Sequence, residues 1–206
     1  MKVVTSLDRY RRTAGYRRQA ARHVAARPAF YFDLASPHTY LAAERAEQMF
    51  AGLAWLPASS DALQCDVSLA EDERAAVAGR AAMLSLPLVW PVHPPLRVLG
   101  AMRVASLAAE RGICAQFVLA ASRLMYCGGY DIDDPEILSE AAAAAGIGFG
   151  DMLRAAGDVS RDGPIEAAGR RLLQAGADRL PALRVGGAVF GGENRMSEAF
   201  LALGRS

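Results

Sequence analysis

Cysteine is scarce and unpaired in this sequence: Cys65, Cys114 and Cys127 are odd in number and form no C-x-x-C pair. No disulfide framework is supported, and a reduced, cytoplasmic protein is expected. No apolar stretch approaches the roughly 18 residues of a membrane span. Arginines interrupt every candidate secretory segment near the N-terminus. No spacing supports a metal site, a P-loop or a dinucleotide fingerprint. Lys2 is the sole lysine; with the abundant alanine, this reads as base composition and carries no function.

What is present is ample apolar material. Of 206 residues, 52% are hydrophobic, enough for a full core in one domain, or in one domain with an inserted subdomain. The formal net charge of +1 points to neither nucleic acid nor a membrane. It conceals an asymmetry. Residues 1–27 carry eight basic side chains against Asp8 alone, leaving 15 basic and 21 acidic residues, a net of −6, in the rest. A basic arm (1–28), with an Arg-rich helix over 6–26, precedes a mildly acidic body. A solvated helix folded against the body, or partly disordered, is the plain reading of that arm; contact with an anionic surface, a partner subunit or, less expected, nucleic acid is the alternative.

Ala29–Ala35 (AFYFDLA) is an aromatic run of strand length. Ser36-Pro37 follows, a helix-start pair with Ser at the N-cap and Pro at the first helical position. The pattern predicts a helix over Pro37–Phe50, stopped by Gly52, and a second strand at Leu53–Pro57: β-α-β, the opening of an α/β sheet. Helix-forming stretches then cover 69–84, 95–111, 113–127, 134–146 and 149–156, divided by prolines and glycines. Beyond them lie a helix at Ile165–Ala175, strands at Ala182–Val185 and Ala188–Phe190 about a Gly186-Gly187 turn, and a last helix over Asn194–Leu203. The order is that of a thioredoxin fold with an inserted all-helical subdomain. The expected division is a thioredoxin domain of 29–68 and 158–206 with a helical insertion of 69–157.

Phe30–Leu41 (FYFDLASPHTYL) resembles the opening of the DsbA-like superfamily of thioredoxin folds, and within it 2-hydroxychromene-2-carboxylate isomerases and kappa-class glutathione transferases. Trp90-Pro91-Val92-His93 followed by Ala101-Met102-Arg103, the run Asp131–Leu138 (DIDDPEIL), Leu180-Pro181 and Phe190–Met196 (FGGENRM) match further family segments in order. The resemblance spans about residues 29–204. Ser36 and Thr39 stand where a DsbA oxidoreductase has its two cysteines, so dithiol chemistry is excluded. Three departures are present. Asn194 replaces the usual aspartate, Arg179 replaces a glycine, and Ala58–Ser68 lacks the Asn-Gln-Pro-Pro and nearby lysine that hold the glycyl end of glutathione in relatives.

The resemblance implies a glutathione-dependent isomerase, or a kappa-like transferase, acting on a hydrophobic or aromatic electrophile, with glutathione or another low-molecular-weight thiol as cofactor and a homodimer as the assembly. A redox-inactive binding module is the competing reading. Ser36 is the candidate catalytic residue: a hydroxyl at a helix start, beside unpaired N–H groups and the positive end of the dipole, stabilises a thiolate. It equally serves as a plain N-cap. The resemblance further implies a cis Pro181, with Leu180 pairing its backbone to the cysteinyl part of the thiol, and Glu193 and Asn194 holding the γ-glutamyl end. Asn194 serves as a helix cap just as well. His38 and His93 are candidate substrate-facing groups, as wall residues before acid–base groups. Tyr40 and Trp90 line an aromatic pocket or pack in the core. The cysteines read as small buried hydrophobes.

Overall fold

The computed structural model describes residues 27–63, 71–92 and 97–204. The expected helix at 6–26, Cys65 and His93 lie outside the described residues.

Strand β1 (Ala29–Phe32) is followed by helix α1 (Pro37–Met49) and strand β2 (Ala54–Pro57). The strand is shorter than the aromatic run suggests because the chain turns at once: the Ser36 amide donates to the Asp33 carbonyl at 3.1 Å. Helices α2 (Glu71–Met83), α3 (Leu99–Glu110), α4 (Cys114–Tyr126), α5 (Pro135–Ala144) and α6 (Phe149–Gly157) come next. Helix α5 opens as its sequence dictates: Asp134 caps the Glu136 amide at 2.8 Å, with Pro135 in the first turn.

Helix α7 (Asp162–Gln174) starts three residues before the expected Ile165. Pro164 falls in its first turn, where no intrahelical N–H is required, so the proline does not mark the boundary. Strands β3 (Ala182–Val185) and β4 (Ala188–Gly191) form the expected hairpin, with Gly186 at φ +59°. A 3₁₀ turn at Glu193–Arg195 leads into α8 (Met196–Leu203), so the regular helix begins two residues after the expected Asn194.

The sheet order is β2-β1-β3-β4, with β1 parallel to β2 and antiparallel to β3, and β3 antiparallel to β4. Every residue of β1 is buried, because helices cover both faces. Phe30 and Phe32 point to one side and meet Trp55, whose ring lies 4.6 Å from Phe30. Ala29 and Tyr31 point to the other, toward Ala168 and Leu172 of α7. The larger apolar cluster runs unbroken from the sheet through α1 into α3–α6.

Candidate functional site

The turn between β1 and α1 is held from several directions. Asp33 is half-buried; its Oδ1 accepts the Ala35 amide and its Oδ2 the Ser60 amide, both at 3.0 Å. Burial pushes its carboxyl above the ordinary range, against the pull of those amides and of the Ser60 hydroxyl. The Thr39 hydroxyl donates to the Asp33 carbonyl at 2.7 Å, and the Tyr126 hydroxyl to the Ala35 carbonyl at 2.7 Å. Ser36 is thereby fixed in extended backbone (φ −85°, ψ 121°) at the N-cap position of α1. Its hydroxyl makes no capping hydrogen bond. The plain N-cap reading of Ser36 is therefore incorrect: the backbone occupies the cap position, and the side chain does not cap.

Ser36 opens into a cleft of about 510 Å³. Its walls are the start of α1 with Ser36 and His38, the face of α2 with Glu73 and Arg80, the turn at Leu180, and Glu193 and Asn194 ahead of α8. Glu73, Val77 and Arg80 share that face because a helix repeats every 3.6 residues. His38 Nε2 stands 3.6 Å from Glu73 Oε1. The Leu180–Pro181 bond is cis. The backbone N–H and C=O of Leu180 have no backbone hydrogen bond among the described residues. The Pro181 carbonyl accepts the Gly192 amide at 2.8 Å, joining this turn to the approach to α8.

Five of the expected residues thus meet in one cleft: Ser36, His38, Leu180, Glu193 and Asn194. Pro181 shapes the turn without lining the cleft. Two expectations are corrected. Tyr40 is 1% exposed; its hydroxyl donates to the Pro87 carbonyl at 2.6 Å, and its ring stacks on Tyr126 at 5.8 Å, so it is core and not a pocket wall. Trp90 packs edge-on to Tyr126 at 6.3 Å and lies under the Arg74 guanidinium at 4.8 Å, away from the cleft. Both belong to the packing between α1, α4 and the 85–92 segment.

Glu193 is 5% exposed and held by two guanidiniums. Arg80 approaches side-on, Nε to Oε2 at 3.0 Å and Nη2 to Oε1 at 2.8 Å, and Arg45 Nη1 also reaches Oε1. Hydrogen bonding to Glu193 raises the Arg80 pKa. Sequence reasoning missed Arg45, Arg80 and Asp33. The only available signal was indirect: an acid in a short apolar approach to a helix needs a buried partner.

By sequence, the chain matches no protein-family model and no curated protein. By structure it is similar to 2-hydroxychromene-2-carboxylate isomerase (HCCA isomerase), with a TM-score of 0.72 and 16% identity over 86% of this chain and 94% of that one. It is also similar to a "probable DsbA oxidoreductase" from Streptomyces coelicolor, with a TM-score of 0.66 and 19% identity over 87% and 88% of the two chains. This chain has the DsbA-like thioredoxin fold. At such identities the likeness speaks for the fold alone. The start of α1 carries Ser36 and Thr39 and no cysteine. Neither Cys114, buried with its thiol pKa pushed up by desolvation, nor Cys127, 3.1 Å from the Tyr40 hydroxyl, lines the cleft. Among the described residues no group of His, Cys, Asp and Glu is arranged to hold a metal ion, and no helix is long and apolar enough to cross a membrane.

Proposed function

We propose that the cleft binds a low-molecular-weight thiol and that the protein is a thiol-dependent isomerase acting on an unsaturated, hydrophobic or aromatic electrophile. The observation that carries this reading is the Ser36 hydroxyl, which opens into the cleft at the start of a 13-residue helix and is not spent on capping it. There a hydroxyl donor and the positive end of the helix dipole act together on a docked sulfur, favouring its thiolate. Leu180 lines the same cleft, and its backbone N–H and C=O, with no backbone partner among the described residues, are fit to pair with an extended peptide-like ligand. A bound thiol would supply a nucleophilic sulfur for reversible addition to an electrophile. The cysteinyl part of glutathione fits Ser36 and Leu180; its ammonium does not fit Glu193, which two arginines already occupy.

A redox-inactive binding module is the second reading, favoured by the burial of Tyr40 and the position of Trp90, which leave the cleft without the expected aromatic wall. Calorimetric titration with glutathione above pH 7, on the native protein and on Ser36→Ala, tests the proposal. Saturable binding with proton release that Ser36→Ala removes supports a thiolate site. No binding at millimolar glutathione, or binding indifferent to Ser36, overturns glutathione as the thiol held by this serine. Binding with no turnover of any thiol-reactive electrophile favours the second reading.

A further inference from the structure

The cleft is bounded ahead of α8 by a charge arrangement opposite to what a glutamyl head requires. An amino-acid head presents an ammonium beside its carboxylate, and an acidic side chain is the strongest partner for that ammonium. Asn194 is neutral, so Glu193 is the acid in place. Both of its oxygens are engaged, Oε2 by Arg80 Nε at 3.0 Å and Oε1 by Arg80 Nη2 at 2.8 Å together with Arg45 Nη1. At 5% exposure it has little water to fall back on, and an ammonium would have to displace a bidentate, charge-assisted pair.

Two guanidiniums on one carboxylate leave a local charge of +1. The side-on pair uses Nε and Nη2 of Arg80, so the two N–H groups on Nη1 lie outside it, on a side chain 34% exposed at the cleft wall. The other charges facing the cleft do not cancel this excess locally. Arg179 and Asp178 pair with each other at 2.8 Å. Glu73 stands beside His38, two helical turns from Arg80 and so about 10 Å away along α2.

We infer that the Arg45–Glu193–Arg80 triad is an anion seat: this end of the cleft takes a carboxylate with no ammonium beside it, and the ligand differs from glutathione at the γ-glutamyl end. This rests on the cleft being a ligand site, and it does not depend on thiol chemistry at Ser36.

The test is an NMR titration at about 0.15 M salt, following the arginine Nε–H resonances. One pair of probes is glutathione and its desamino analogue, glutaryl-cysteinylglycine; the other is L-glutamate and glutarate, which lack the thiol. The expected result is that the desamino member of each pair binds about tenfold tighter, with the Arg80 signal shifting, and that Arg80→Gln erases the preference while Arg80→Lys retains most of it. A merely structural Arg80 would not make the protein distinguish two ligands that differ in one ammonium. Equal or tighter binding of the ammonium-bearing members overturns the inference, as does a preference that survives Arg80→Gln. If neither glutarate nor the desamino thiol moves the Arg80 signal, the seat is likewise refuted. Glutarate binding without thiol binding leaves the seat standing and removes the thiol reading.

Discussion

Asp33 Oδ2 accepts the amide of Ser60 at 3.0 Å, tying the end of β1 to the segment after β2 directly behind the turn that presents Ser36. The bond joins residues 27 apart in sequence and holds a half-buried carboxyl.

Burial raises the Asp33 pKa in the folded protein, so the native state holds this proton more tightly than the unfolded chain. Its contribution to stability is greatest below the unfolded carboxylate value of about 3.9 and declines as pH rises through the folded value. Urea unfolding across a pH series is expected to show that decline in the native protein and not in Asp33→Asn. Parallel pH curves for the two proteins would refute a raised pKa.

Ser36→Ala is expected to unfold at nearly the same urea concentration as the native protein, with a change below the roughly 1 kcal/mol that a capping serine contributes. The hydroxyl makes no bond to the first turn for the substitution to remove. A loss of a full kcal/mol would reinstate the capping role.

Arg103 holds Asp162 through two bonds, Nε to Oδ1 at 2.8 Å and Nη2 to Oδ2 at 2.7 Å, and gives a third to the Ala156 carbonyl at 2.9 Å, joining α3 to α6 and α7. Arg103→Ala is expected to cost about 1.5–3 kcal/mol at neutral pH. Hydrogen bonding to Arg103 lowers the Asp162 pKa, so the contribution of the pair is present above the unfolded carboxylate value and is lost as pH falls through the folded one. The stability gap between native and Arg103→Ala proteins is therefore expected to narrow in acid, as read by denaturant titration at about pH 3 and pH 7.

Two helical glycines are expected to respond in opposite directions to alanine. A methyl at Gly169 would lie 2.5 Å from the Ser59 carbonyl oxygen and 2.7 Å from Ala62 Cβ, where α7 rests on the 3₁₀ turn Asp61–Leu63. Overpacking there, about 1–3 kcal/mol, outweighs a helix-propensity gain of up to about 1 kcal/mol. Gly79 in α2 has nothing within 4 Å of that position, so Gly79→Ala keeps the propensity gain. Thermal unfolding of both variants decides the matter: a lowered midpoint for Gly169→Ala and a raised one for Gly79→Ala.

The sequence by itself determined what short-range chemistry governs. Ser36-Pro37 and Asp134-Pro135 begin helices, Gly186-Gly187 closes a hairpin, and aromatic or branched runs form β1–β4; each depends on residues a few positions apart. The motif order then placed Ser36, Leu180 and Asn194 around one cleft, because the DsbA-like fold brings those segments together. The start of α7 was misjudged because proline is tolerated in a first turn.

Tertiary structure alone decided the rest. Tyr40 lies on the first turns of α1, and the Pro87 carbonyl, 47 residues away, together with the ring of Tyr126 makes it core. Glu193 was read as an open ligand group, and only the arrival of Arg80 and Arg45, 113 and 148 residues away, closes it. Such charge pairing has no periodicity and no spacing to read. It depends on which helix face each fold segment turns inward, and that is set by packing across the whole chain.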